Sequence, residues 1–306
     1  MHVALGTDGD PGLVEAAEQA GVAFVTISGQ SGIDAGVRAA FLSRRTAGIG
    51  LVPQLQAAVT EPFHLATQLA SLDHASGGRG GWLVGADDDP GRFAAVGQPA
   101  LTGNDLSAEV GDVIDVARLL WDSWEDDAIV RDTTTGRFLD ADRVHHVNFT
   151  GARFTIAGPL ITPRPPQGQL PVVGADTLGV TARLDVALID ATTVDEITGR
   201  AVRARRNGAA LVFAEVTGPP PDLLDRLAGV VDGVLLHAVT GADLPAAVAA
   251  IGPLPPARTI PRGTPARATP RETPDRGGQE GNPVRGTLRE VLGLARPANR
   301  HATAGL

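Results

Sequence analysis

The chain has 306 residues, 43% of them hydrophobic, which is ample for the core of one α/β barrel or of two smaller domains. It has no Cys, no Tyr and no Lys, so disulfides, thiolate metal sites, cysteine nucleophiles, tyrosine acids and Schiff-base chemistry are excluded. Nine Arg against four acids from Pro253 to Leu306 leave the rest of the chain to carry the formal net charge of −9, and an acidic body argues against nucleic-acid binding.

In chain order, "MHVALGTDGD" carries no basic leader, and its apolar run is too short for a signal core or a membrane span. A cytoplasmic protein is expected. Eight β-rich runs follow: "HVALG" (2–6), "AFVTI" (23–27), "IGLVPQL" (49–55), "GWLVG" (81–85), "PVVGA" (171–175), "VALID" (186–190), "ALVFAEV" (210–216) and "GVLLHAV" (233–239). Their near-continuous apolar character fits strands buried on both faces. Helical patterns lie between them, such as "PGLVEAAEQAG", with Pro near its start and Gly at its end, and "VDEITGRAVRARRNG". Eight strands, helical crossovers and a last helix over "DLPAAVAAI" predict a closed (β/α)8 TIM barrel over residues 1–252, against an open doubly wound sheet.

One connection is too long for a plain loop. Residues of about 126–170 read as an insertion, with a hairpin turning at Thr150-Gly151 and a Pro-rich run after it, expected as a lid or side wall of a ligand pocket. Residues 253–306 read as a Pro/Arg-rich tail, loosely wrapped over 253–285. The tail ends in a short docked helix over 286–294, with an apolar stripe of Leu288, Val291, Leu292 and Leu294.

Four stretches carry a resemblance: "EPFHLATQLASLDHASGGRGGWLV", "LLWDSWEDDA", "GARFTIAGPLITPRPPQGQLPVVGA" and "TLREVLGLARP". Together they resemble the bacterial-luciferase-like flavin monooxygenases, in the branch that oxidises nitrilotriacetate and sulfones. The likeness runs from Gly48 to Ala175 and from Gly286 to Ala298. The family is built on (β/α)8 barrels. The resemblance implies reduced FMN, delivered by a separate NAD(P)H-dependent flavin reductase, oxygenating a small molecule with O2, and a homo-oligomer. No G-x-G-x-x-G fingerprint offers a nicotinamide site of the chain's own.

Set against the family's motifs, the resemblance points to Gln30, Gln54, Gln56, Ser107, Ala175, Asp176 and Thr177 as the flavin-binding positions. The glycines of "SGGRGGW" read as a helix-to-strand turn at the stability face, whereas Gly85 to Asp89 should reach the mouth. Gln54 and Gln56 are able to hydrogen-bond a flavin ring edge. Ser107 reads as a helix N-cap for "AEVGDV". The family's phosphate-binding Gly-Ala-Ser turn is "GADTLG" here, with Asp176 in the Ser position. A carboxylate ~4 Å from a phosphate charge repels it by about 4 kcal/mol at an effective dielectric of ~20. The milder reading of Asp176 is an N-cap for a helix from Thr177. Weak FMN binding is therefore expected, and the alternative function is a flavin-site-degenerate paralogue acting as a non-catalytic binding or partner subunit.

Asp8, Asp87, Asp176, Asp190, Glu215 and His237 fall at strand ends and should rim the mouth. Their spacing has no metal signature, so no metal is expected, and solvated rim charges are the simpler reading. A different enzyme class using that acidic mouth is the third reading. His145-His146 reads as a surface pair, and Trp121 and Trp124 as packing residues.

Overall fold

The computed structural model describes residues 1–29, 32–218, 221–245, 248 and 286–302. The predicted loose arm over 253–285 and Gln30 lie outside them. Each of the eight predicted runs is a barrel strand: β1 (His2–Thr7), β2 (Phe24–Ile27), β3 (Gly50–Gln56), β4 (Trp82–Gly85), β9 (Val172–Ala175), β10 (Val186–Asp190), β11 (Leu211–Thr217) and β12 (Gly233–His237). All pair in parallel and close in the order β1-β12-β11-β10-β9-β4-β3-β2. This is the (β/α)8 barrel, and the open sheet is excluded.

Two apolar clusters account for strands without a polar face. Ala4, Phe24, Val52, Val173, Leu188, Phe213 and Leu235 fill the barrel. Their sequence neighbours Val3, Leu5, Val25, Leu51, Val172, Ala187, Val212 and Val234 pack outward in a separate, larger cluster. Alternation along each strand sends successive residues to opposite sides. The register therefore assigns Gly6, Thr26, Gln54, Leu83, Ala175, Glu215 and His237 to the inward set above that filling.

Local chemistry sets the crossovers. Helix α1 (Pro11–Gln19) starts at Asp10, whose Oδ1 accepts from Leu13 N at 2.8 Å, with Pro in its first turn. Helix α2 (Ala35–Leu42) is capped by Asp34, and α3 (Pro62–Ser76) by Glu61 at one end and the left-handed Gly77 at the other. After β4 come α4 (Pro90–Ala95) and α5 (Gly103–Trp121); α6 (Val194–Arg206) follows β10 and α7 (Pro221–Leu227) follows β11. The helix expected over "DLPAAVAAI" is described only at Leu244, Pro245 and Val248.

The predicted helix after Asp176 is absent. Residues 176–185, all described, form two 3₁₀ turns, Asp176–Leu178 and Thr181–Arg183, broken at Gly179 with φ +75°. Ten residues between parallel strands leave no room for a helix and two loops. Asp176 makes no N-cap hydrogen bond there.

The insertion holds the predicted hairpin, β7 (Phe149–Thr150) with β8 (Thr155–Ile156), and one that was not predicted, β5 (Ile129–Asp132) with β6 (Arg137–Leu139). Asp132 folds that second turn by accepting from Thr134 N and Thr135 N. The insertion leaves from the end of α5 and returns to the start of β9, so it is rooted at the N-terminal face of the barrel. Its β7–β8 turn lies along α5, where Ala152 N donates to Asp112 at 2.9 Å. It is an outer strap on α5 rather than a lid on the strands' C-terminal ends.

That N-terminal face is closed by helix α8 (Leu288–Val291), which carries a Thr287/Glu290 capping box. Leu288 and Leu292 join the cluster inside the barrel. Arg289 donates to Gln169 O and pairs with Asp185 at 3.0 Å.

Candidate functional site at the barrel mouth

The "SGGRGGW" stretch is a turn. Gly77 and Gly78 take φ of 70° and 90°, and the buried Arg79 guanidinium donates to the carbonyls of Ser43, Thr46, Ile49 and Ser76 and to Thr46 Oγ1. All of it lies at the N-terminal entry of β4, with every Arg79 partner inside the protein.

At the opposite end, three side-chain groupings form the mouth. In the first, Glu215 of β11 and His237 of β12 lie 2.7 Å apart, Oε2 to Nε2. Gly6 of β1 makes room for the imidazole, since a Cβ there would sit 2.5 Å from Nδ1. The hydrogen bond from Glu215 raises the His237 pKa above its usual 6.5 against the opposing effect of burial, with the Glu215 and Asp190 charges adding to the rise. The backbone then turns through Ala238 at φ +53°, a left-handed conformation unusual for Ala. This pair holds a proton at Nε2 and is the one acid–base couple at the mouth among the described residues.

The second grouping is Gln56 with Asp87. The Gln56 amide lies over Gly85, and its Oε1 accepts from Asp87 N at 3.0 Å, so the amide is committed to the loop. The Asp87 carboxylate pairs with Arg92 at 2.9 Å.

The third grouping was not foreseen. Arg200 of α6 grips Asp176 through Nε to Oδ2 at 3.0 Å and Nη2 to Oδ1 at 2.5 Å. Its Nη1 donates to Asp190 O at 2.7 Å and Glu196 Oε1 at 3.3 Å. The expected bare carboxylate at this turn is thus corrected to a neutralised pair. In sequence, Arg200 looked like one of five Arg on a solvated helix face, and the 24 residues separating it from Asp176 give no local signal.

The remaining expected site residues are dispersed. Ala175 ends β9, Thr177 is exposed, and Gln54 is half-buried beside Leu83 in register. Ser107 is no N-cap: α5 begins at Gly103 after Thr102, and the Ser107 side chain backs onto Gly179, where a Cβ would lie 2.8 Å from its Oγ. Asp8 is exposed. Among the described residues no three His, Asp or Glu side chains are grouped to hold a metal ion, and no helix is long and apolar enough to cross a membrane.

Away from the mouth, His145 pairs with Glu125 at 2.8 Å and stacks on His301. Trp121 Nε1 donates to Ala66 O and Trp124 Nε1 to Leu160 O, so both indoles tie the insertion and helices together. These are packing contacts.

Comparison with known proteins bears on this arrangement. The luciferase-like monooxygenase family matches residues 11–248. One of the two kinds of chain named for pristinamycin IIA synthase, a subunit from Streptomyces pristinaespiralis, is 34% identical over 299 residues, covering 94% of this chain and 90% of that protein. Nitrilotriacetate monooxygenase component A of Aminobacter aminovorans is 37% identical over 137 residues, covering 44% of this chain and 30% of that protein. Against that larger relative, the match spans less than a third of its length. The structure of EDTA monooxygenase from Chelativorans sp. BNC1 superposes with a TM-score of 0.75 at 17% identity, covering 97% of this chain and 99% of that one. With a closed parallel barrel and a family match over most of its length, the chain belongs to the luciferase-like monooxygenases, a family of flavin-dependent oxidoreductases.

Proposed function

We propose that this chain is one subunit of a two-component flavin-dependent monooxygenase of the cytoplasm. In this reading reduced FMN, supplied by an NAD(P)H-dependent flavin reductase, and O2 oxygenate a small organic substrate. Reduced flavin supplies the oxygen-activating chemistry, while the protein binds the substrate and keeps water from the reacting centre. The observation that carries the subunit reading is the length of the matches. The chain covers 90% of a protein named as a synthase subunit but 30% of a monooxygenase component. The site supports it too. The phosphate end of FMN does not fit the turn after β9, where Arg200 is already bound to Asp176, Asp190 and Glu196. No step through the flavin is assigned to this chain's residues, and a second family member in the complex holds the cofactor.

The test is to purify the chain alone and together with a luciferase-like chain co-expressed from the same source. Each preparation receives a flavin reductase, FMN, NAD(P)H and O2, with a panel of sulfonates, sulfones and aminopolycarboxylates. Product is expected from the two-chain complex with reductase. Product from this chain and reductase alone would overturn the subunit reading in favour of a self-sufficient oxygenase, most simply a homo-oligomer. Oxidation by this chain with NAD(P)H and no reductase would overturn the two-component reading.

A further inference from the structure

We infer that Asp176 is a built-in anion occupying Arg200 in place of a ligand phosphate, so that this chain does not grip FMN by its phosphate at the turn after β9. The inference rests on the flavin-dependent reading above, and on the phosphate position implied by the family's Gly-Ala-Ser turn. Its first support is geometric. A guanidinium presents a planar fork that fits a carboxylate and a phosphate in the same two-point manner. Here both prongs end on the two oxygens of one carboxylate, Nε on Oδ2 and Nη2 on Oδ1. Asp176 thus makes the contact a phosphate would make.

The second support is saturation. The remaining Nη1 is shared between the Asp190 carbonyl and the Glu196 carboxylate, so an incoming phosphate finds no free prong of the fork. The Arg200 and Asp176 side chains are 16% and 11% exposed, which makes the pair an enclosed contact rather than a surface bridge. A phosphate reaching Arg200 must displace Asp176 and then lie beside it and Glu196, both negatively charged.

The third support is the backbone. A helix N-terminus offers a row of free N–H groups to an anion, but the 3₁₀ turn Asp176–Leu178 that stands here is one turn long and ends at the left-handed Gly179. Ser107 closes the space behind Gly179, and Thr181 Oγ1 donates to Asp176 O at 3.2 Å. The turn is tied to its own surroundings on each side.

The experiment titrates the full-length protein calorimetrically with FMN, with riboflavin and with inorganic phosphate. It uses the wild type, Asp176→Asn, Asp176→Ser and the double variant Asp176→Ser/Arg200→Ala, each checked for wild-type far-ultraviolet dichroism. Two Asp176 variants are used so that misfolding of one leaves the test standing. For the wild type we expect no phosphate heat, and FMN no tighter than riboflavin. Either Asp176 variant should favour FMN over riboflavin by about tenfold or more, the worth of one charge-assisted hydrogen bond. Removing Arg200 in the double variant should abolish that preference.

A wild type that already favours FMN by about tenfold or more over riboflavin would overturn the inference, because the phosphate would then be displacing Asp176. Folded Asp176 variants without the gain would overturn it as well, because Arg200 would not be a latent phosphate ligand. Neither measurement involves turnover. A failure to oxygenate any substrate leaves the affinity ratio readable, and a phosphate-binding wild type leaves the oxygenase reading intact.

Discussion

Replacing Leu288 with Ala tests whether the end of the tail completes the barrel core or merely rests on it. Leu288 is 1% exposed and belongs to the apolar cluster inside the barrel. Its Cδ1 and Cδ2 lie so close to Gly50 and Gly81 that an added Cβ at those glycines would approach them to 2.6 Å and 3.2 Å. Truncation removes three carbons at about 0.8 kcal/mol each, and a rigid ring of strands cannot collapse onto the vacated space. The expected loss is therefore about 3 kcal/mol, with roughly 2–5 kcal/mol the usual range for buried Leu→Ala. Urea unfolding followed by tryptophan fluorescence reads it, since Trp82 stands fully buried at the start of β4. A second outcome has to be separated from cavity formation, namely release of the whole four-residue helix. Arg289→Ala removes the bonds to Gln169 O and Asp185 from the same segment. If α8 stays docked, the double variant loses more than either single one; if Leu288→Ala already releases it, adding Arg289→Ala costs nothing further. A loss below about 1 kcal/mol for Leu288→Ala would refute the assignment of this residue to the core.

Glu215→Gln should bring the His237 titration, followed by NMR, from above 6.5 to below it, because burial then acts without the carboxylate; an unmoved midpoint contradicts the pair. With the folded pKa raised, the stability from this pair is full below pH 6.5 and is lost as pH rises through the folded value. Asp73, buried beside Gln167 and Gly80, has its pKa pushed up to about 6 by burial. Its folded form prefers the proton, so the wild type loses about 3 kcal/mol from this group between about pH 4 and pH 7. Asp73→Asn should remove that slope from the stability profile, and a profile that keeps it would place the titrating group elsewhere. Arg79→Met should cost more than about 3 kcal/mol in urea unfolding, since four buried carbonyls lose their donor together. A near-neutral result there would mean water replaces the guanidinium.

The barrel was legible in the sequence because its strands are buried on both sides. A run such as "VALID" has no polar face to confuse it with a surface element, and its neighbours Val186 and Ala187 do go to opposite clusters. Chain punctuation was legible for the same local reason: Asp10-Pro11 and Glu61-Pro62 open helices, and Gly77 closes one. The β5–β6 hairpin was missed although "RDTTTGR" carries an Asp turn and a Gly at φ +70°. Its strands are exposed and short, so they lack the apolar alternation that marks a half-buried hairpin.

The candidate site resisted reading for a different reason. Helix propensity favoured a helix after Asp176, and nothing in "DTLGVTARLD" forbids one; what forbids it is the distance that ten residues must span between β9 and β10. With no helix formed, Asp176 loses the role of cap, and its carboxylate turns to the neighbouring α6 for a partner. That partner follows from topology, since α6 comes straight after β10, and β10 is the strand paired with β9. The missing helix and the Asp176–Arg200 pair therefore share one cause, the shortness of a single connection. A variant with this connection lengthened by about five or six helix-forming residues after Gly179 offers a direct check. Such an insertion lies at the surface and is tolerated thermodynamically at a cost of about 1 kcal/mol. If the short connection holds the pair together, the longer one should loosen Arg200 from Asp176 and confer the same preference for FMN over riboflavin as Asp176→Ser. If the lengthened protein folds and still shows no preference, the pair forms independently of the connection, and this account of its origin fails.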